Sequence, residues 1–266
     1  MCHHDDIKLI FKILIDEKFS IYKCCNCFQI FANPWIMDSE EGYDYSQLYF
    51  DQALSTGIIT ESCAPVKENI MNAYYEATSL IRKWWRSGTI ADIGCGIGLS
   101  SLAIQCLKIP VASFEKNEKY VAVANNKFKL NIKNFDIYTY NGNKFDFAVL
   151  NAVLEHVHSP KSFLNAIKKN ILNYHGLLIV TVPNIESSQM ISIGRSFYNL
   201  DPGHVWHFSE RTLNNLMEEC GYILLEYHRH SFNLDGVDSN VEYYMNHIRG
   251  ENINIYGSIA GIWISI

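Results

Sequence analysis

An α/β chain wound on both sides of a mostly parallel sheet is what this sequence predicts, and three observations predict it. From residue 69 onward, short apolar runs alternate with amphipathic helical patterns, an order that calls for parallel strands covered by helices on both faces. The first run, Thr89–Ile93, breaks into Gly94-Cys95-Gly96-Ile97-Gly98, and a helical pattern follows at once. The second, Val111–Phe114, ends on Glu115, 21 positions after Gly94. With 266 residues, 48% of them hydrophobic, the chain can bury a sizeable core.

Taken in order, residues 1 to 35 form a compositional block that holds half of the eight cysteines and closes at Asn33-Pro34. Within it Cys24-x-x-Cys27 has the spacing of a zinc knuckle, two thiolates able to reach one tetrahedral metal from a tight turn. The upstream residues Cys2, His3, His4 and Asp5 are candidates to complete it, and the expected ligand set is Cys24, Cys27, Cys2 and His4. The alternative is a metal-free remnant whose cysteines are small buried residues or loop thiols. Residues 36–66 are acidic and aromatic, with Tyr43, Tyr45, Tyr49 and Phe50, and read as a linker or lid over a domain spanning 67–266.

Ile70, Tyr74, Ala77, Ile81 and Trp84 repeat at three and four residues, predicting a helix over 69–85 that Ser87-Gly88 ends. After the strand and glycine loop come a helix over 99–107, the strand 111–114 and a helix over 117–128. Phe135–Tyr140 is the expected third strand, with Asn141-Gly142-Asn143 as a turn and a shortened or missing helix. Phe145–Asn151 is a buried strand, and Ser159-Pro160 opens a helix through Phe163, Leu164, Ile167 and Ile171 that Gly176 should stop. Leu177–Val182 follows as a strand. Residues 184–208 lack periodicity and leave from a strand's carboxyl end, where open α/β sheets bind ligands, so they are the expected substrate cover. Ser209 caps a helix holding Leu213, Leu216 and Met217, which Gly221 ends. Tyr222–Tyr227 and the apolar 253–266 bring the count to a Rossmann-like, seven-stranded sheet with a small N-terminal extension.

Glycines in the loop permit positive φ and close backbone approach, and the free N–H groups of the next helix favour an anionic group. A carboxylate at Glu115 can accept both hydroxyls of a ribose. Dinucleotides and S-adenosylmethionine both use this layout, and a glycine turn with no ligand is the bland alternative. The dinucleotide fingerprint wants Gly or Ala at its sixth position, where this chain has Leu99. Asp92-x-Gly94-x-Gly96-x-Gly98 instead resembles the first motif of class I S-adenosylmethionine-dependent methyltransferases.

That resemblance covers roughly 67–266 and rests on stretches in order: Ala91–Gly98, Glu115, Phe145–Val157, Gly176–Asn184 and His204-x-x-His207-Phe-Ser-Glu-Arg-Thr-Leu213. Tyr22–Pro34 is similar to the second half of a zinc-binding module found before some of these domains, although no Cys-x-x-Cys precedes it. The resemblance implies that Asp92, Gly94, Cys95, Gly96 and Gly98 lie against the methionine part of the cofactor. It also implies Glu115 on the ribose, Asn151 near the amino-acid end or the sulfonium, and Asp136 near the adenine.

Methyl transfer from a sulfonium is an in-line displacement, so an enzyme gains by alignment, by excluding water and, for a hydroxyl acceptor, by removing its proton. Glu155 and His156, just past a strand, are candidates for that proton, with His207 as a third catalytic candidate. The bland alternative for His156 is to hold a loop through a backbone hydrogen bond. Ubiquinone-pathway and small-RNA 2′-O-methyltransferases resemble this region and carry Glu-x-x-Glu-His there, whereas Ala152 replaces the first acid here; Glu155, His156, His204 and His207 remain as N/O ligands for a metal. Arg195, Tyr198, His204 and Trp206 are acceptor-binding candidates.

A net charge of −6 and a pI near 5.9 offer no general attraction for nucleic acid or anionic lipid. With the methyltransferase resemblance, the expected acceptor is a small or carrier-linked molecule, with methylation of a hydroxyl favoured over that of nitrogen or carbon. The run Ile7–Ile15 contains Lys8 and Lys12 and fails as a signal peptide, and no stretch reaches membrane-span length. Reduced thiols in a cytoplasmic protein are the expected state of the cysteines. Two competing functions are a nucleotide-dependent oxidoreductase and a non-catalytic scaffold that keeps the cofactor fold.

Overall fold

The computed structural model of the chain describes residues 7–13, 19–33, 46–187, 203–228 and 258–266. It opens with β1 (Ile7–Ile13), β2 (Phe19–Cys24), β3 (Ile30–Asn33), α1 (Ser46–Ser55), α2 (Lys67–Ala73) and α3 (Tyr75–Trp84). Alternation then sets in: β4 (Ile90–Ile93), α4 (Leu99–Cys106), β5 (Val111–Glu115), α5 (Glu118–Phe128), β6 (Lys133–Asn134), β7 (Phe145–Asn151), α6 (Pro160–Ala166) and β8 (Leu172–Pro183). The chain closes with β9 (Trp206–His207), α7 (Glu210–Glu219), β10 (Tyr222–His228) and β11 (Ser258–Ser265).

Seven strands form the main sheet in the order β10-β11-β8-β7-β4-β5-β6, the Rossmann-like architecture expected. The strands from β8 to β6 are parallel, and β11 runs antiparallel to both β8 and β10. From β4 the chain steps outward to β6 and then returns to β7 on the other side of β4. That reversal opens a crevice at the carboxyl ends of β4 and β7, where open α/β sheets hold their ligands. The glycine loop leaves from one lip and Asn151 from the other.

Side chains alternate across the sheet with period two. Ile90, Phe147, Val149 and Ile179 pack with Leu80, Ile81 and Ile104 of α3 and α4. Ala91, Ile93, Ala148, Leu150 and Val180 pack with Leu164, Leu213 and Met217 of α6 and α7 on the opposite face. Each Val, Leu, Ile, Phe or Met side chain so buried contributes about 1.5–3 kcal/mol. Asp92 and Asn151, two residues beyond Ile90 and Val149, therefore share the α4 face and meet at the crevice.

Several elements depart from the sequence expectation for local reasons. The helix over 69–85 is two helices that break at Tyr74 (φ −114°, ψ 26°), where the Thr78 hydroxyl donates to the carbonyls of Tyr74 and Tyr75 and competes with the helical ladder. Phe135–Tyr140 is not a strand. Asp136 accepts the Tyr138 N–H at 2.9 Å and forms a turn, from which Phe135 and Tyr140 pack their rings on Phe114. Only the two residues of β6 extend the sheet there.

Pro160 starts α6 as expected, but the Ser159 hydroxyl donates to Ser162 Oγ rather than capping the helix. Gly176 does not stop that helix. The helix widens over Ile167–Ile171, with the Leu172 N–H reaching back to Ile167 O, and residues 173–176 form a bulge inside β8 with His175 at φ 61°. Of the expected strand over 253–266, residues 253–257 lie outside the described residues.

The N-terminal strands form a second, antiparallel sheet, β1-β2-β3-β9, whose fourth strand comes from the expected substrate cover. Ile30 pairs with His207 and Phe31 with Trp206. Among the described residues no helix is long and apolar enough to cross a membrane.

Candidate active site

Gly94, Gly96 and Gly98 all take positive φ, so the loop's path needs glycine. A Cβ at Gly98 would collide with Leu130 Cδ1, whereas one at Gly96 would meet nothing within 4 Å among the described residues. Packing dictates the first glycine, and the second leaves open space above the loop.

Asp92 is fully buried beneath that loop. Its Oδ2 accepts from the hydroxyls of Ser100 and Ser101 at 2.6 Å each, on the first turn of α4, while its Oδ1 has no hydrogen-bond partner among the described residues. Burial raises the carboxyl to about 6; the two serine hydrogen bonds pull it down and the Glu115 charge pushes it further up. A buried carboxylate oxygen without a donor fits a ligand that brings a cation or an N–H.

Glu115, at the end of β5, holds the loop from the other side. Its Oε2 accepts the Gly96 N–H and its Oε1 the Asn117 N–H, both at 2.8 Å. One lone pair on each oxygen remains for ligand hydroxyls. Cys95 is buried, and burial together with the charges of Asp92 and Glu115 pushes its thiol up, so it stays neutral and acts by being small. Tyr74 joins this group. It packs against the cluster that contains Cys95 of the loop, and burial and then the charges of Asp92 and Cys95 push its hydroxyl up. In the sequence it read only as a member of an apolar stripe; neither it nor the two serines carried a signal of their own.

On the other lip, Asn151 Oδ1 accepts from the Thr181 hydroxyl at 2.7 Å. Ala152 follows in the left-handed region (φ 53°), and the turn after it carries Glu155 and His156. His156 Nδ1 lies 2.9 Å from Gly203 O. A carbonyl can only accept, so Nδ1 carries the proton and Nε2 is left as an acceptor. The His204 ring stands edge-on to His156, with centroids 4.6 Å apart. One ligand atom from each of Glu155, His156 and His204 lies within 4.8 Å of the others, a mixture of donors suited to a divalent metal.

Two further candidates lie in β9. His207 is 4% exposed and is pushed down to about 3, chiefly by burial and then by the charge of His204, whose ring centroid is 6.5 Å from its own. Trp206 is 8% exposed; its indole N–H donates to Val157 O and its ring packs on Phe31. Both lie where β9 pairs with β3. Arg195, Tyr198, Cys2 and His4 lie outside the described residues. Cys24 and Cys27 share one turn, in which the Cys27 N–H donates to Cys24 Sγ at 3.5 Å.

Residues 72–227, more than half of the chain, match a family model described as a methyltransferase domain, and the chain belongs to that family. A search of curated protein sequences finds no match. Among solved structures, an S-adenosylmethionine-dependent methyltransferase from Archaeoglobus fulgidus is 18% identical with a TM-score of 0.58, over 84% of this chain and 100% of that one. Magnesium protoporphyrin IX methyltransferase from Synechocystis, solved with S-adenosylhomocysteine, is 14% identical with a TM-score of 0.52, over 84% and 96%. The [4+2]-cyclase SpnF is 16% identical with a TM-score of 0.50, over 73% and 81%, so the fold by itself does not name a reaction.

Family and fold together make the chain a class I S-adenosylmethionine-dependent methyltransferase with that compound as methyl donor, and the oxidoreductase alternative falls away. The residues fit this cofactor: open space above Gly96 and an unpartnered Asp92 Oδ1 suit a cationic ligand.

Proposed function

We propose that the enzyme methylates a hydroxyl of a small or carrier-linked acceptor, with His156 as the base that takes the hydroxyl proton. The observation that carries this reading is the contact of His156 Nδ1 with the Gly203 carbonyl, which commits Nε2 to accepting. Bound cofactor supplies an electrophilic methyl group. Asp92, Gly94, Cys95, Gly96 and Gly98 hold its methionine part, Glu115 its ribose and Asn151 its amino-acid end. Glu155 lies close enough to offset the charge that His156 gains. His204, Arg195 and Tyr198 contact the acceptor. The chain divides at 35 and 66 into an N-terminal module, a linker and the methyltransferase domain, and works in the cytoplasm.

The test is release of S-adenosylhomocysteine from pools of hydroxylated acceptors. Replacing His156 by Gln should cost about 10²–10⁴-fold in turnover while leaving S-adenosylhomocysteine affinity intact. Unchanged turnover would sink the assignment.

A second reading has an observation of its own, the close approach of Glu155, His156 and His204. There the three residues hold a divalent cation that activates the hydroxyl. Loss of turnover with a chelator and recovery with Mn²⁺ or Mg²⁺ selects this reading; indifference to both selects the base.

For the N-terminal module we propose structural zinc on Cys24, Cys27, Cys2 and His4. Ile7 pairs with Cys24, so β1 begins at the end of the sheet that carries the cysteine turn. Elemental analysis of protein purified without chelator decides it: less than about a tenth of an equivalent would remove the zinc.

A further inference from the structure

We propose that Gln29, in the N-terminal sheet, is a positioning residue for the acceptor side of the methyltransferase site, acting through the main chain of Val205–His207 on His204. The Gln29 amide donates to two carbonyls, Ile30 O at 2.8 Å and His207 O at 3.0 Å. Beside it, β3 pairs with β9 over only two residues, and the Ala32 N–H extends the ladder to Val205 O at 2.9 Å. So short a pairing is weak by itself, and the Gln29 amide supplies it with a further bond.

Across the same strand, the Trp206 N–H donates to Glu155 O at 3.1 Å and Gly203 O meets His156 Nδ1. His204 thus sits on a segment clamped on one side by residues 29–32 and on the other by residues 155–157. Its ring faces His156 from that position. The turn that presents Gln29 is itself pinned. Phe28 takes the left-handed φ of 65°, and its ring lies 4.6 Å from the Arg211 guanidinium of α7 and 5.4 Å from Lys23 Nζ. Small displacements of groups that must meet an acceptor are costly in rate, and the N-terminal sheet fixes one of them.

This inference rests on reading His156 and His204 as the acceptor edge, and its test is separable from that reading. In the full chain, Gln29→Glu sets a carboxylate against two carbonyl oxygens, and Gln29→Met keeps the length but loses both donors. The ring ¹⁵N signals of His156 and His204, assigned with single histidine variants, should shift in both. S-adenosylhomocysteine affinity by calorimetry should stay within about twofold, and turnover on the hydroxyl pools should fall about tenfold in Gln29→Glu and less in Gln29→Met. If Gln29→Glu does not fold, Gln29→Met carries the test.

Unmoved ring signals, unaltered turnover, or a loss of cofactor affinity in step with turnover would each overturn the positioning role. Retained turnover in His156→Gln with moved rings in the Gln29 variants would instead remove the base assignment and leave the coupling standing.

Discussion

Replacing Asp92 by Asn isolates the cost of keeping a carboxylate under the glycine loop. Asp92 is fully buried, and burial raises its carboxyl from an ordinary 3.8 to about 6. A group that binds its proton more tightly in the folded chain contributes stability that is fully present below about pH 3.8 and is lost as pH rises through about 6. A shift of roughly two units, at about 1.36 kcal/mol each, makes the loss about 3 kcal/mol at neutral pH. About 1 kcal/mol of this is already incurred at pH 4.5, which leaves about 2 kcal/mol between pH 4.5 and 7.5.

Asn cannot ionise, and its oxygen can keep the hydroxyls of Ser100 and Ser101. Urea unfolding of cofactor-free protein at the two pH values supplies the test. Titrations that do not sense the Asp92 charge, His207 among them, are common to both proteins and cancel in the difference. The stability of Asp92→Asn relative to the parent should rise by about 2 kcal/mol from pH 4.5 to 7.5, while its affinity for S-adenosylhomocysteine falls because the charge beside the empty Oδ1 position is gone. A difference flat to within about 0.5 kcal/mol would refute the reasoning, since a buried carboxylate would then cost nothing to ionise.

Removing Glu115 as Glu115→Ala should weaken S-adenosylhomocysteine binding by about 1–3 kcal/mol in calorimetry, from unpaired ribose hydroxyls and from the Gly96 and Asn117 N–H groups left without their acceptor; an unchanged affinity would mean the ribose is held elsewhere. Gly98→Ala should lose far more stability in urea than Gly96→Ala, for which about 1–2 kcal/mol of left-handed strain is the main cost, and Gly96→Ala should lose the more cofactor affinity relative to stability. The opposite ranking would contradict the division of labour between the two glycines. His207, pushed down to about 3 from 6.5, contributes stability that is present above about pH 6.5 and is lost as pH falls toward 3. His207→Gln should therefore flatten the acid limb of the stability profile, and an identical limb would place that limb's protons on other groups.

Elements were legible in the sequence where local pattern and tertiary demand coincide. Phe145–Asn151 is a strand over those same residues, because an apolar run at the sheet's centre has no other way to bury both faces. Ser209 caps α7 through a reciprocal bond with Thr212, and Gly221 (φ 74°) ends it, both written in residue type. Phe135–Tyr140 misled because aromatic residues favour strands only when a strand is needed; here Asp136 offers a turn that buries the same rings on Phe114. The pairing of Trp206 and His207 with β3 left no mark in the local sequence for a different reason. Their partner strand lies far earlier in the chain, with Gln29 and His207 178 residues apart, and no local periodicity records such a pairing.

The same distinction divides the site into two halves. The cofactor half is made by consecutive elements, β4, the glycine loop, α4 and β5, and its polar contacts link Asp92, Gly96, Ser100, Ser101, Ser113, Glu115 and Asn117. Contacts so local form with the strands themselves and persist when distant parts of the chain are disturbed. The proposed acceptor half joins residues 29–32, 152–157 and 203–208, held by hydrogen bonds between segments remote in sequence. A disturbance of the N-terminal sheet should therefore reach the acceptor before the cofactor, and the ratio of the two effects, turnover against S-adenosylhomocysteine affinity, measures how independent the halves are. Were that ratio near one for the Gln29 variants, the site would behave as a single cooperative unit, and sequence locality would say nothing about which ligand a residue serves.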